Sequence, residues 1–117
     1  MPRTLLTGAT GFIGSHVTRL LVERGDDVRV TVRSAAAAAA LRDLPVEQVR
    51  ADVCDRRSVR RAMRGIDRVF HIAGTTSLAL ARERAFAVNV EGTRIVLEEA
   101  LRADVERAVY TLSLIHI

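Results

Sequence analysis

At 117 residues the chain has room for one domain with a real core but is short for a complete α/β enzyme. Apolar residues make up 49%, which excludes a disordered chain, and aromatics are only 3%, which leaves little to stack on nucleic-acid bases. A net charge of +4 is that of a soluble surface, a single cysteine (Cys54) excludes an internal disulfide, and no apolar run reaches membrane-spanning length, so a cytoplasmic protein with no membrane or nucleic-acid partner is expected.

In chain order, Thr4–Thr7 is predicted as a first strand around the apolar pair Leu5-Leu6. Three glycines follow at equal spacing, Gly8, Gly11 and Gly14. A helix is predicted over Phe12–Arg24, with Ile13, Val17, Leu20 and Leu21 as its buried face and Gly25 as its C-cap. The β-branched residues Val28, Val30 and Val32 give a second strand. Arg33 and Ser34 stand at its carboxyl end, followed by six alanines, Ala35–Ala40, that favour a short helix stopped by Pro45.

Val46–Ala51 reads as the third strand. Asp55 is placed to cap a helix running to about Arg64, ended by Gly65. Its residues Arg56, Arg57, Arg60, Arg61 and Arg64 are expected to form a solvated face. The fourth strand is Val69–Ile72 and Gly74–Leu80 is a loop. A long helix is predicted over Arg82–Arg102, with Phe86, Val90, Thr93, Val96, Leu97, Ala100 and Leu101 buried. Arg107–Thr111 is the fifth strand. Strands alternating with helices predict an α/β fold with a parallel sheet and right-handed crossovers.

Strand, glycine turn and helix together are the setting of a dinucleotide fingerprint. One glycine turns the chain, one lets the backbone approach a pyrophosphate, and one lets helix pack on strand. The helix N-terminus adds free N–H groups and a positive dipole end. Gly8, Thr10, Gly11, Phe12, Ile13 and Gly14 are therefore the candidate phosphate turn, and no metal is expected. Among the remaining polar candidates, His71 is apolar-flanked and reads as a packed strand residue. Asn89, unfavourable inside a helix, suggests a side-chain hydrogen bond to a neighbouring loop. Cys54 reads as a small filler.

Five motifs in register carry a resemblance. They are Thr7–Gly14 (TGATGFIG), Ala51-Asp52-Val53, His71-Ile72-Ala73-Gly74, Asn89–Thr93 (NVEGT), and Val109-Tyr110-Thr111. Over about Thr4 to Thr111 the chain resembles the N-terminal part of an extended short-chain dehydrogenase/reductase, of the epimerase/dehydratase and dihydroflavonol-reductase-like group. The resemblance implies a doubly wound Rossmann domain over residues 1–111, incomplete at about five strands, with NAD(P) lying across the strand carboxyl ends. It makes Asp52 the partner of the adenine amino group and Val53 its neighbour against the ring. Ile72, Ala73 and Gly74 would line the path from the adenosine to the nicotinamide ribose, and Asn89 would brace the adjoining loop. For the full-length protein it implies a small-molecule substrate and a homodimer. The last six residues, Leu112–Ile117, resemble the translation of a common sequencing-library adapter and are expected to be foreign to the domain.

NADP is expected over NAD. An NAD site takes an acidic residue about 20 positions beyond the glycines. Here the second strand ends Thr31-Val32-Arg33-Ser34, and Asp26 and Asp27 precede that strand, at the opposite end of the sheet. Arg33 could pair with a 2′-phosphate and stack on adenine, with Ser34 adding a hydrogen bond. The expected function is the cofactor-binding part of an NADP-dependent oxidoreductase acting on a carbonyl or secondary alcohol. The alternatives are an NAD-dependent sugar-nucleotide epimerase or dehydratase, or a non-catalytic dinucleotide sensor on the same fold. The family's Tyr-x-x-x-Lys pair is not found: every one of the 18 basic residues is Arg, and Leu114 stands four places after the only tyrosine, Tyr110. Ser113 falls within the foreign-looking tail and is given no role. No catalytic residue is assigned, and this chain alone is expected to transfer no hydride.

Overall fold

The computed structural model describes residues 2–72 and 87–110. Ala73, Gly74, the loop to Leu80, Phe86, Thr111 and the tail 112–117 lie outside the described residues.

Five strands form one parallel sheet: β1 (Arg3–Thr7), β2 (Asp27–Val32), β3 (Glu47–Arg50), β4 (Arg68–His71) and β5 (Arg107–Tyr110). The helices are α1 (Phe12–Glu23), α2 (Ala35–Ala40), α3 (Arg56–Ala62) and α4 (Thr93–Arg102), the last preceded by a π-helical segment, Ala87–Gly92. The strand order is β3-β2-β1-β4-β5, so the chain winds outward one way from β1 and then returns to wind the other way from β4. That is the doubly wound, Rossmann-type α/β arrangement, with its switch point between β1 and β4.

Two apolar layers hold the sheet. Leu6, Val28, Val30 and Val32 pack against Leu21 of α1 and Leu41 after α2. On the other face Leu5 and Val69 pack against Val59, Ala62 and Met63 of the α3 region and Val96 and Ala100 of α4. Alternation along β1 sends Leu5 and Leu6 to opposite layers, as a sheet covered on both sides requires. Asp55 caps α3 as predicted, accepting the Arg57 N–H at 3.2 Å, and Ser34, which the sequence reading did not place as a cap, caps α2 by accepting the Ala37 N–H at 3.1 Å.

The structure corrects two predicted helix faces. In α1, Ile13 and Leu20 are 45% and 59% exposed, while Gly14, Thr18 and Leu21 face the sheet. A Cβ on Gly14 would lie 1.7 Å from the Gly8 carbonyl oxygen, so α1 comes closest to the β1 turn on its glycine side and turns its bulkier residues outward. In α4, Leu101 is 82% exposed, and Val90 in the preceding π-helical segment is also exposed, whereas Glu99 is 1% exposed.

Glu99 can be buried because α3 supplies its counter-charges. Arg60 Nε and Arg56 Nη1 donate to its two carboxylate oxygens at 2.9 and 2.8 Å. These hydrogen bonds, Arg60's first, hold Glu99 well below the usual carboxylate range, at about 2. Arg56 also pairs with Glu98. The arginine-rich α3 is thus not simply a solvated face: Arg56 and Arg60 clamp it to α4.

Candidate functional site

β1, β2, β3 and β4 run parallel, so their carboxyl ends share one edge of the molecule. Paired registers Thr7↔His71 and Val32↔Arg50 set those ends level in pairs. The structure therefore brings Gly8–Gly14, Arg33, Ser34, Asp52, Val53 and Ile72 to one edge. Asp27 pairs in register with Arg3 at the opposite edge and binds its guanidinium at 3.1 Å, as the sequence predicts for an acid before β2.

The glycine turn is built for two close approaches. Gly8 has φ +80, a conformation an L side chain rarely adopts, and its carbonyl accepts the Gly11 N–H at 3.1 Å. Gly14 supplies the helix–turn contact described above. Gly11 differs: its φ is −76, and a Cβ there would sit 3.5 Å from the Gly8 oxygen, an ordinary contact. Among the described residues nothing requires Gly11 to be glycine. Among the described residues no side chain caps α1 at Gly11, so its first-turn N–H groups have no side-chain acceptor there. Thr10 and Gly11 are exposed, and Phe12 is 82% exposed at the mouth of the turn.

At the end of β2, Arg33 is exposed and makes no ion pair among the described residues. The Ser34 oxygen accepts from Ala37 N–H, which leaves its own proton free to donate. After β3, Asp52 is exposed, but its Oδ1 already accepts the Cys54 N–H at 2.9 Å. Val53 is 8% exposed, with its side chain in the core beside Val59. Val53 thus keeps only a small exposed fraction at this edge. Core packing of β3's continuation takes the valine inward and turns Asp52 outward.

The switch point is braced from below. His71 is 1% exposed, with Nδ1 2.7 Å from Thr7 Oγ1 and Nε2 2.9 Å from Thr93 Oγ1. Ile72 N–H donates to the same Thr7 hydroxyl at 3.2 Å. Burial pushes the imidazole down to about 4, so it is neutral at pH 7. The ring ties β1, β4 and α4 together, the packed role expected of it. The sequence reading did not foresee Thr7 and Thr93 as its partners; the available signal was a hydroxyl at the carboxyl end of β1, directly after the apolar pair Leu5-Leu6. Tyr110, inside β5, stacks on this imidazole with centroids 5.5 Å apart, and the half-buried Asn89 lies in the π-helical segment.

Comparison with known proteins agrees with this geometry. The chain is 45% identical over 111 residues to sterol demethylase protein B of Methylococcus capsulatus, covering 94% of this chain and 34% of that protein. It is 37% identical to a 3-beta-hydroxysteroid dehydrogenase of Mycolicibacterium neoaurum, covering 95% of this chain and 32% of the other. A crystal structure of a short-chain dehydrogenase/reductase superfamily protein from Agrobacterium tumefaciens with bound NAD superposes with a TM-score of 0.78 at 34% identity, over 92% of this chain and 31% of that one. The chain thus spans about a third of the length of each of these relatives. The NAD dependent epimerase/dehydratase family matches residues 4–114, from the first strand past the fifth, and the chain belongs to that family.

Proposed function

We propose that this chain is the dinucleotide-binding part of an oxidoreductase that uses NADP on a carbonyl or secondary alcohol, with residues 1–111 as the Rossmann unit. The observation that carries the reading is Gly11: exposed, unstrained and with room for a side chain, it is a glycine that none of the described residues requires. A pyrophosphate lying against α1's uncapped first turn accounts for it. Gly8, Thr10, Phe12, Ile13 and Gly14 would form the cradle. Asp52 and Val53 would meet the adenine, and Ile72, Ala73 and Gly74 the ribose path. Arg33, exposed and unpaired among the described residues, favours a 2′-phosphate, with Ser34 donating its free proton. When bound, the nicotinamide gives or takes a hydride; this chain's residues bind and orient it. A second reading, an NAD-dependent epimerase or dehydratase, is favoured by the NAD held in the Agrobacterium relative.

The test is a fluorescence titration of the purified chain with NADPH and NADH. NADPH is expected to bind more tightly. Arg33→Ala should weaken NADPH about tenfold, the loss of one charge-assisted hydrogen bond, and leave NADH nearly unchanged. Gly11→Val should abolish binding of both with an unaltered circular dichroism spectrum. Equal affinity for the two cofactors selects the second reading, and full binding by Gly11→Val refutes the site. With no lysine to partner a tyrosine, the chain alone should not oxidise NADPH in the presence of aldehydes or ketones.

A further inference from the structure

We infer that Arg50, at the end of β3, is a second cation for the 2′-phosphate, so that this group is held between Arg33 and Arg50. The inference rests on the dinucleotide reading above and adds a specificity-determining residue to it.

Register supplies the first argument. Arg50 pairs with Val32, and the next N–H in the chain, that of Ala51, donates to the Val32 oxygen at 3.0 Å. Neighbouring strands lie about 4.8 Å apart, so Arg50 leaves the sheet beside the last residue of β2, one position before Arg33.

Pleating then fixes the face. Gln48, two residues earlier, donates its side-chain amide to the Ala38 carbonyl of α2 at 3.0 Å. Residues i and i+2 share a face, so Arg50 is on the α2 side too. The crossover helix α2 returns antiparallel to the strands it connects. From Gln48 to Arg50 the strand advances about 6.6 Å toward its carboxyl end. Along α2 the same distance leads back about four residues from Ala38, to Ser34, at roughly 1.5 Å per residue. Arg50 therefore stands level with Arg33 and Ser34, on the side where α2 begins.

Charge completes the case. Arg50 is exposed and, like Arg33, has no ion pair among the described residues. The nearest acid of β3, Glu47, is on the opposite face and engaged with Arg29 at 2.9 Å. Asp52, two residues beyond Arg50, is exposed, but its Oδ1 is engaged by the Cys54 N–H at 2.9 Å and it forms no ion pair with either arginine among the described residues. A phosphate monoester carries about −1.5 to −2 charges at neutral pH and accepts guanidinium donors on several oxygens. A ribose 2′-hydroxyl offers neither.

The experiment titrates the purified chain and its Arg50→Ala, Arg50→Lys and Arg33→Ala variants with NADPH and NADH. Adenosine 2′,5′-bisphosphate and 5′-AMP serve as competitors, at low and high salt. Arg50→Ala should weaken NADPH and the bisphosphate about fivefold, the upper end for an exposed ion pair, and leave NADH and 5′-AMP unchanged. The loss should shrink at high salt, and Arg50→Lys should recover most of it. An unchanged NADPH affinity in Arg50→Ala, or equal weakening of both cofactors with a native circular dichroism spectrum, overturns the inference. Should Arg50→Ala misfold, Arg50→Lys and Arg50→Gln decide instead: an unchanged NADPH-to-NADH ratio in the glutamine variant overturns it. If Arg33→Ala alone loses NADPH selectively, Arg50 has no such role while the proposed function stands. If the unmodified chain does not prefer NADPH, both fall.

Discussion

Acidification should destabilise this fold through His71. Unfolded, the imidazole takes up a proton near pH 6.5; folded, burial holds it neutral down to about 4. Between those values the unfolded chain binds more protons, so stability rises with pH across the window and is lost as pH falls through it. At about 1.4 kcal/mol per pH unit, the fall from 6.5 to 4 costs about 3 kcal/mol. For a domain of this size that lowers Tm on the order of 10–20 °C. Glu99 acts in a lower window: its stabilisation is complete above about 4.5 and is lost toward pH 2. The assay is thermal or urea unfolding at half-unit steps from pH 7.5 to 4, on the unmodified chain and on His71→Phe. The variant should be less stable at pH 7, because Thr7 and Thr93 lose their partner, but nearly flat in pH between 6.5 and 4.5. A flat profile in the unmodified chain, or an equal slope in His71→Phe, refutes the reasoning and moves the titration to other groups.

Gly14→Ala should destabilise by at least about 2 kcal/mol, because its Cβ meets the Gly8 carbonyl at 1.7 Å, whereas Gly11→Ala should stay within about 0.5 kcal/mol; paired thermal melts check the contrast. Glu99→Gln keeps the shape of the buried side chain but removes the charge that Arg56 and Arg60 grip, and should cost about 1–3 kcal/mol in urea unfolding. β5 lies at the edge of the described sheet with all four residues exposed, so the chain should self-associate; a sharp monomeric sedimentation boundary at high concentration would contradict this.

Local chemistry made much of the domain legible in one dimension. The apolar pair in β1, the alternating valines of β2 and the cap Asp55 act within a few residues, so strands and a helix start could be placed from sequence. The three glycines announced a tight strand-to-helix turn for the same reason. Sequence alone did not separate their roles. Gly14 answers to a carbonyl six residues away and Gly11 to nothing among the described residues, a difference that exists only once α1 is docked on β1. Periodicity put Leu101 inside and was silent on Glu99, because a carboxylate is buried only where a second helix delivers guanidinium groups. The pairing of His71 with Thr7 and Thr93 spans 64 and 22 residues, and the level of Arg50 with Val32 depends on strand register. What the sequence determined by itself was the turns, the caps and the order of strands and helices, all set by short-range sterics and hydrogen bonding. What only the tertiary structure decided was which helix faces, charges and strand ends meet, because those contacts form between segments far apart in the chain and depend on register and docking distance.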